Sequence, residues 1–94
     1  MILQMKRFLH VAFVFPFLSP KQQSAIEQVL GIDGDWLRYA PNCWIVYSGH
    51  APMVWVERLQ AIRGMEQASF FITEMGTYAG RLDQQVWDWI NSYR

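Results

Sequence analysis

Apolar residues follow two different spacings along this chain, which predicts short strands alternating with helices. Residues 8–15 form an apolar run on both alternating sets of positions, as in a strand covered on two faces. Residues 36–39, 43–48 and 68–75 are further segments rich in aromatic and β-branched residues, which favour strands. Three residues, 40–42, separate two of these segments and predict a hairpin.

The segments between the strands have the start and stop signals of helices. Ser19 is suited to cap a first helix, Pro20 to its first position, and Gln22 completes a capping box. An apolar stripe at helical spacing then continues to Leu30, and we expect Gly31 to end the helix in the left-handed conformation. The pattern therefore predicts a first helix that is defined at both ends.

Two further helices complete the predicted order. Pro52 marks the start of the second helix and Gly64 its stop. The third, at about residues 82–93, has an apolar stripe of Leu82, Val86, Trp89, Ile90 and Tyr93. The order is that of an α+β protein, a ferredoxin-like βαββαβ sandwich with an additional C-terminal helix, in a single domain spanning 1–94.

The two helices of such a sandwich cover only one face of the sheet, although the first strand is apolar on both. The other face needs the C-terminal helix or a second copy of the chain, and we expect a homodimer. A hydrophobic content of 52% and an aromatic content of 16% exceed what one small core easily hides. The interface candidates are Phe70, Ile72, Tyr78, Trp87 and Trp89.

Charge and cysteine content narrow the classes of function. Eight basic residues balance eight acidic ones and are scattered among them, which does not favour a nucleic-acid partner. The lone Cys43 excludes an intramolecular disulfide and a thiolate zinc site, and its setting predicts a small buried thiol. The apolar run near the N-terminus is interrupted by His10 and Pro16, and the run is too short to span a membrane. We therefore expect a cytoplasmic protein without a membrane segment.

Residues able to bind a ligand are isolated in the sequence. His10 lies within the first strand and His50 in the loop before the second helix. Asp33 and Asp35 flank a glycine in a turn, where aspartate is common for backbone reasons, and Glu74 ends the fourth strand. These five residues are weak ligand candidates, and we assign no catalytic residue, no metal site and no cofactor.

Two stretches resemble a known family. Trp36-Leu37-Arg38-Tyr39, followed by Trp44-Ile45-Val46, resembles the tryptophan signature of the SinR-like family of small bacterial ferredoxin-like proteins. Residues 71–75, then Ala79-Gly80-Arg81-Leu82 and Trp87-Asp88-Trp89-Ile90, look like that family's ending. The resemblance covers most of the chain.

The family is similar in fold to the small nuclease-like subunit of the CRISPR adaptation complex. Its relatives form homodimers and bind a catalytic metal through an Asp at the end of strand one, where this chain has Pro16. The resemblance thus implies a dimer but not the nuclease. We expect a non-catalytic homodimeric binding or regulatory protein, linked to a mobile element or defence locus.

Two alternatives stay open at this point. One is a metal-dependent nuclease with a displaced site that uses Asp33, Asp35 or Glu74. The other is a protein that holds a small apolar ligand between sheet and helices, with polar contacts from His10, His50, Tyr47 and Tyr78.

Overall fold

The computed structural model describes residues 5–94, in which three helices and four strands follow the predicted order. They are β1 (Arg7–Phe15), α1 (Pro20–Leu30), β2 (Gly34–Ala40), β3 (Cys43–Ser48), α2 (Pro52–Gln60), β4 (Ser69–Glu74) and α3 (Gln84–Asn91). The predicted domain start at residue 1 lies outside the described residues. Within them, every helix is too short or too polar to cross a membrane.

The four strands form one antiparallel sheet in the order β2-β3-β1-β4. β1 pairs with β3 on one side and with β4 on the other, and β2 pairs with the far side of β3. The segment containing α1 therefore connects β1 to β2, and β3 lies between these two strands in the sheet. The segment containing α2 connects β3 to β4, and β1 lies between them. The predicted α+β class, with a four-stranded sheet and a third helix, is confirmed.

Local signals placed the starts of α1 and α2 at Pro20 and Pro52, but α2 ends at Gln60 and not at the predicted Gly64. The capping box is present: Ser19 Oγ accepts from the Gln22 N–H at 3.2 Å, and Gln22 Oε1 accepts from the Ser19 N–H at 3.0 Å. The left-handed conformation predicted for Gly31 is wrong, because its N–H still bonds to the Glu27 carbonyl and its φ is −72°. The positive φ, 67°, occurs two residues later at Asp33, a residue type that tolerates it.

The third helix is two residues shorter at each end than the predicted 82–93. Asp83 has an extended ψ of 145°, so the helix begins at Gln84, and Ser92 follows its last residue. Leu82 and Tyr93 therefore lie outside the helix, although the spacing predicts both in its apolar stripe.

The main core lies between the sheet and the helices α1 and α2. Two tryptophans are buried in it, and each donates its indole N–H to a polar partner, as buried indoles require. Trp44 donates to Glu27 Oε2, and Trp55 donates to Ser48 Oγ, each at 3.1 Å. The other buried residues of this core include Leu9, Val11, Phe13, Ile26, Leu30, Val46 and Leu59.

The opposite face of the sheet is covered at one end by α3. Val86 and Ile90 of this helix pack on Phe8 of β1 and Ile45 of β3 in a second buried cluster. Since β1 is apolar on both faces, each face needs a cover, and α3 supplies part of the second one within a single chain. The sequence predicts that either the C-terminal helix or a second copy of the chain covers this face. Within one chain, the C-terminal helix covers one end of it.

Candidate functional site

A cavity of about 180 Å³ lies between the sheet, α3 and the loop that precedes α3. We call it the α3 cavity. Its lining residues are His10, Tyr39, Ile45, Met75, Tyr78, Ala79, Gly80, Arg81, Leu82, Trp87 and Ile90. Because α3 covers only one end of this face, the cavity opens where the cover stops. It places one histidine and two tyrosines against an otherwise largely apolar wall.

The polar part of the wall is a contact between His10 and Tyr39. The His10 ring nitrogen Nε2 and the Tyr39 hydroxyl share a hydrogen bond across the sheet. Burial lowers the pKa of His10, which favours the neutral ring near neutral pH. Burial, and after it the neighbouring Cys43, raises the pKa of Tyr39 to about 12. The pair therefore presents polar but uncharged groups to the cavity.

Cys43 lies beside Tyr39 and is only partly buried, which corrects the expectation of a small buried thiol. The reason is its place in the sheet. It pairs with Ala12 of β1, and neither residue belongs to the cluster that α3 buries.

The remaining wall combines aromatic rings with one cation. Tyr78 and Trp87 have nearly parallel rings, with an angle of 9° between planes and 6.5 Å between centroids. Arg81 lies in the loop before α3 and is exposed. Among residues 5–94, no carboxylate lies within ion-pair distance of its guanidinium. The cavity thus has aromatic walls and a positive charge at its mouth.

An apolar patch adjoins this region, where the face is not covered by α3. It comprises Val14 and Phe15 at the end of β1, Phe71 of β4, and Phe17 in the loop that follows β1, which are 70%, 60%, 53% and 80% exposed. We call these four residues the β1 patch. Ring centroids of Phe71 and His10 are 6.4 Å apart, so the patch begins beside the cavity.

A β-bulge brings Phe15 into this patch. The register between β1 and β4 shifts so that Phe13 pairs with Phe70, whereas Phe15 pairs with Ser69. Directly paired residues share a face, and Ser69 shares its face with Phe71. The extra residue in β1 therefore turns Phe15 away from the main core and toward Phe71.

A separate polar cluster joins the start of β2 to the end of β3 and to α2. The Asp33 carboxylate accepts from Arg58 at 3.3 Å and lies 3.5 Å from His50 Nε2. The fully buried Ser48 hydroxyl accepts from the Trp55 indole and from the His50 backbone N–H. Ser48 thus faces a backbone amide and an indole, not the His50 ring, and the contacts hold the loop on α2.

The two other acidic candidates each have a different neighbour. Glu74 Oε2 forms an ion pair with Arg7 Nη1 at 2.9 Å across β1 and β4. Burial, followed by the nearby Asp35 carboxylate, raises the pKa of Tyr93. Residues 5–94 contain no group of three or more His, Cys, Asp or Glu arranged to hold a metal ion. Of the five weak ligand candidates, the structure brings together only His50 and Asp33 within these residues.

The five interface candidates are all partly buried within the chain. Phe70 and Ile72 pack against the main core, and Tyr78, Trp87 and Trp89 pack against the cluster beneath α3. Trp87 contacts Tyr78 on the cavity side, whereas the Trp89 ring lies 6.1 Å from Phe8 on the other side of α3. A role for these residues between copies of the chain stays a prediction.

The interface candidates do not include the exposed apolar residues Phe15, Phe17 and Phe71. Along β4, Phe71 lies between Phe70 and Ile72. Because successive side chains of a strand point to opposite faces, Phe71 faces away from α1 and α2 when Phe70 and Ile72 face them. Tyr39 and Arg81 belong to the segments of the family resemblance, but nothing in the sequence placed them together.

In comparisons with known proteins, no family model, curated protein or solved structure matches this chain.

Proposed function

We propose that this protein is a homodimeric, non-catalytic binding protein whose two copies meet through the β1 patch. The observation that carries this proposal is the exposure of three phenylalanines and a valine at one end of the sheet. The largest exposed apolar patch on a soluble protein is often an interaction site.

Charge favours a second copy as the occupant of this patch. The chain has a net charge of zero, and the β1 patch contains no charged residue. Two copies can therefore meet without like-charge repulsion and without burying an unpaired ion. A two-fold axis brings the same surface from each copy together, which makes an apolar patch complementary to itself.

The edge strand beside the patch supports the same arrangement. β4 is an edge strand and has no charged residue from Ser69 to Thr73, whereas the other edge strand, β2, includes Asp35 and Arg38. Charged side chains on an edge hinder pairing with another chain. The β4 edge is thus the one better suited to continue into a second copy, and Phe71 lies on it.

The apolar area is adequate for the centre of an interface. A buried phenylalanine removes roughly 150–250 Å² from water, so the three partly exposed rings offer on the order of 300–450 Å² per copy. A standard interface buries about 800 Å² per partner. The β1 patch would supply about half of this, and the β4 edge with its polar surroundings the rest.

The fold and the family enter the proposal as well. In the sheet, β3 lies between the two strands that α1 connects, and β1 lies between the two that α2 connects. This strand order supports a ferredoxin-like sandwich of the split βαβ type. With the SinR-like resemblance, we propose a bacterial, cytoplasmic binding or regulatory protein of a mobile element or defence locus. Pro16, between exposed Phe15 and Phe17, stands where nuclease relatives hold Asp and supports a non-catalytic role.

Light scattering after size-exclusion chromatography at micromolar concentration tests the dimer. We expect the wild type to have twice the mass of the chain and the double variant Phe15→Ser/Phe71→Ser to have the mass of one chain. Met53→Ser is the matched control, because Met53 is equally exposed but lies on α2. Circular dichroism would confirm that the variants fold. A wild type of single-chain mass at these concentrations would contradict the proposal.

A further inference from the structure

We propose that the α3 cavity is a binding site for a small monocyclic aromatic carboxylate, with the ring between sheet and α3 and the carboxylate at Arg81. This inference goes beyond the dimer and does not rest on it, because the cavity is built within one chain. It rests on the volume of the cavity, the residues that line it and the charge at its mouth.

The volume selects one ring. The α3 cavity measures about 180 Å³. An apolar protein cavity of roughly 150 Å³ is large enough to hold benzene, whereas pockets for drug-sized ligands are about 300–1,000 Å³. A ligand of one ring with one small substituent therefore matches the space.

The walls favour a flat and apolar ligand. Ile45 of the sheet and Ile90 of α3 belong to the buried cluster beneath the helix, and both line the cavity. Tyr78 and Trp87 add two nearly parallel ring faces to the wall. Aromatic groups gain energy beyond area burial when rings meet face to face with an offset or edge to face.

The charge of the lining selects an anion. Arg81 is the one residue of the lining whose side chain always has a charge near neutral pH, and Asp and Glu are not among the lining residues. His10 and Tyr39 satisfy each other by a hydrogen bond, and burial favours the uncharged form of each. A carboxylate at the mouth would pair with the guanidinium of Arg81, in water-accessible surroundings that spare it full desolvation.

The charge also argues against two other ligand classes. A cationic ligand would meet Arg81 and no carboxylate of the lining. A neutral ring of the same size would fill the cavity but gain nothing from Arg81. The anion and the neutral ring therefore give a direct comparison.

Benzoate and benzyl alcohol are the probes for that comparison, since they share a ring and differ in charge. We expect saturable benzoate binding by calorimetry, with NMR shifts at the Trp87 indole and the His10 ring. Benzoate should bind about tenfold tighter than benzyl alcohol, because a charge-assisted contact adds to ring burial. Acetate, which lacks the ring, should not saturate the site.

Two arginine variants separate the site from general charge effects. Arg81→Gln should lower benzoate affinity about tenfold and leave benzyl alcohol unchanged, since only the charged contact is lost. Arg63→Gln is the matched control, because Arg63 is also exposed but lines a different cavity, beside α1. It should leave both affinities unchanged.

Each outcome decides between the possibilities. Equal affinity of the wild type for benzoate and benzyl alcohol would overturn the carboxylate assignment, even if Arg81→Gln failed to fold. Absence of saturable benzoate binding, or shifts confined to residues outside the lining, would overturn the site itself. The dimer proposal would be unaffected by any of these results, because its test is the mass of the protein.

Discussion

On the face beneath α3, His10 contacts side chains of two other strands. It lies on β1, bonds to Tyr39 of β2 and contacts Phe71 of β4. Arg81, from the loop before α3, lines the same cavity, and Cys43 of β3 lies beside Tyr39. Burial lowers the pKa of His10, and none of these neighbours is a carboxylate that would oppose this effect.

This lowered pKa predicts a loss of stability in mild acid. The unfolded chain binds a proton at His10 below its ordinary pKa of 6.5, whereas the folded chain binds it only at lower pH. Stability should therefore fall as the pH drops from about 7 to about 5, because the unfolded state takes up more protons. Urea unfolding at the two pH values should show a smaller fall for His10→Gln than for the wild type. An NMR titration midpoint for His10 at or above its ordinary pKa would contradict this.

At the scale of elements, α3 depends on the sheet for its existence. A helix of eight residues is not stable by itself in water, since isolated helices shorter than about 12–15 residues are marginal. What holds it in place is the burial of Val86 and Ile90 on Phe8 and Ile45. The helix is thus an attached cover, and its loss would open the α3 cavity and expose the second face.

Ile90→Ala tests this dependence. Ile90 is 1% exposed, and truncating such a residue costs about 2–4 kcal/mol through lost burial and the space left behind. The free energy of unfolding, measured by urea denaturation with tryptophan fluorescence, should fall by that amount. Gln85→Ala, at an exposed position on the same helix, should change it by no more than about 0.5 kcal/mol. Equal effects of the two variants would mean that α3 does not stabilise the fold.

At the scale of the whole molecule, one sheet serves two apolar clusters. The larger lies under α1 and α2 and the smaller under α3, and β1 contributes to both. The β1 patch is what remains of the second face after α3 has covered its end. In the proposed dimer this remainder is buried, so the stability of the fold would include the energy of association.

Association of this kind predicts a melting temperature that depends on protein concentration. When unfolding also separates two copies, a rise in concentration of about a hundredfold favours the folded dimer by mass action. The wild type should melt at a higher temperature in the concentrated sample, whereas Phe15→Ser/Phe71→Ser should melt at the same temperature in both. A wild-type melting temperature independent of concentration would argue against a dimer that unfolds and dissociates together.

The sequence by itself determined the order of the elements, the bounds of α1 and β3, and the need for a second cover on the sheet. These features depend on neighbouring residues. Ser19, Pro20 and Gln22 define the start of α1 through contacts within one turn, and the apolar run of β1 is evident without knowing its partners. The same local signals did not reveal that the positive φ belongs to Asp33 instead of Gly31.

Only the tertiary structure decided which side chains face which way and which groups meet. The period of a strand is two, so a shift of one residue moves every side chain to the other face. The pairing of β1 with β4 therefore decides that Phe70 joins the core while Phe71 is exposed, and the bulge turns Phe15 toward the patch. His10, Tyr39 and Arg81 come together through three elements distant in sequence, because long-range pairing, which no local pattern encodes, positions them.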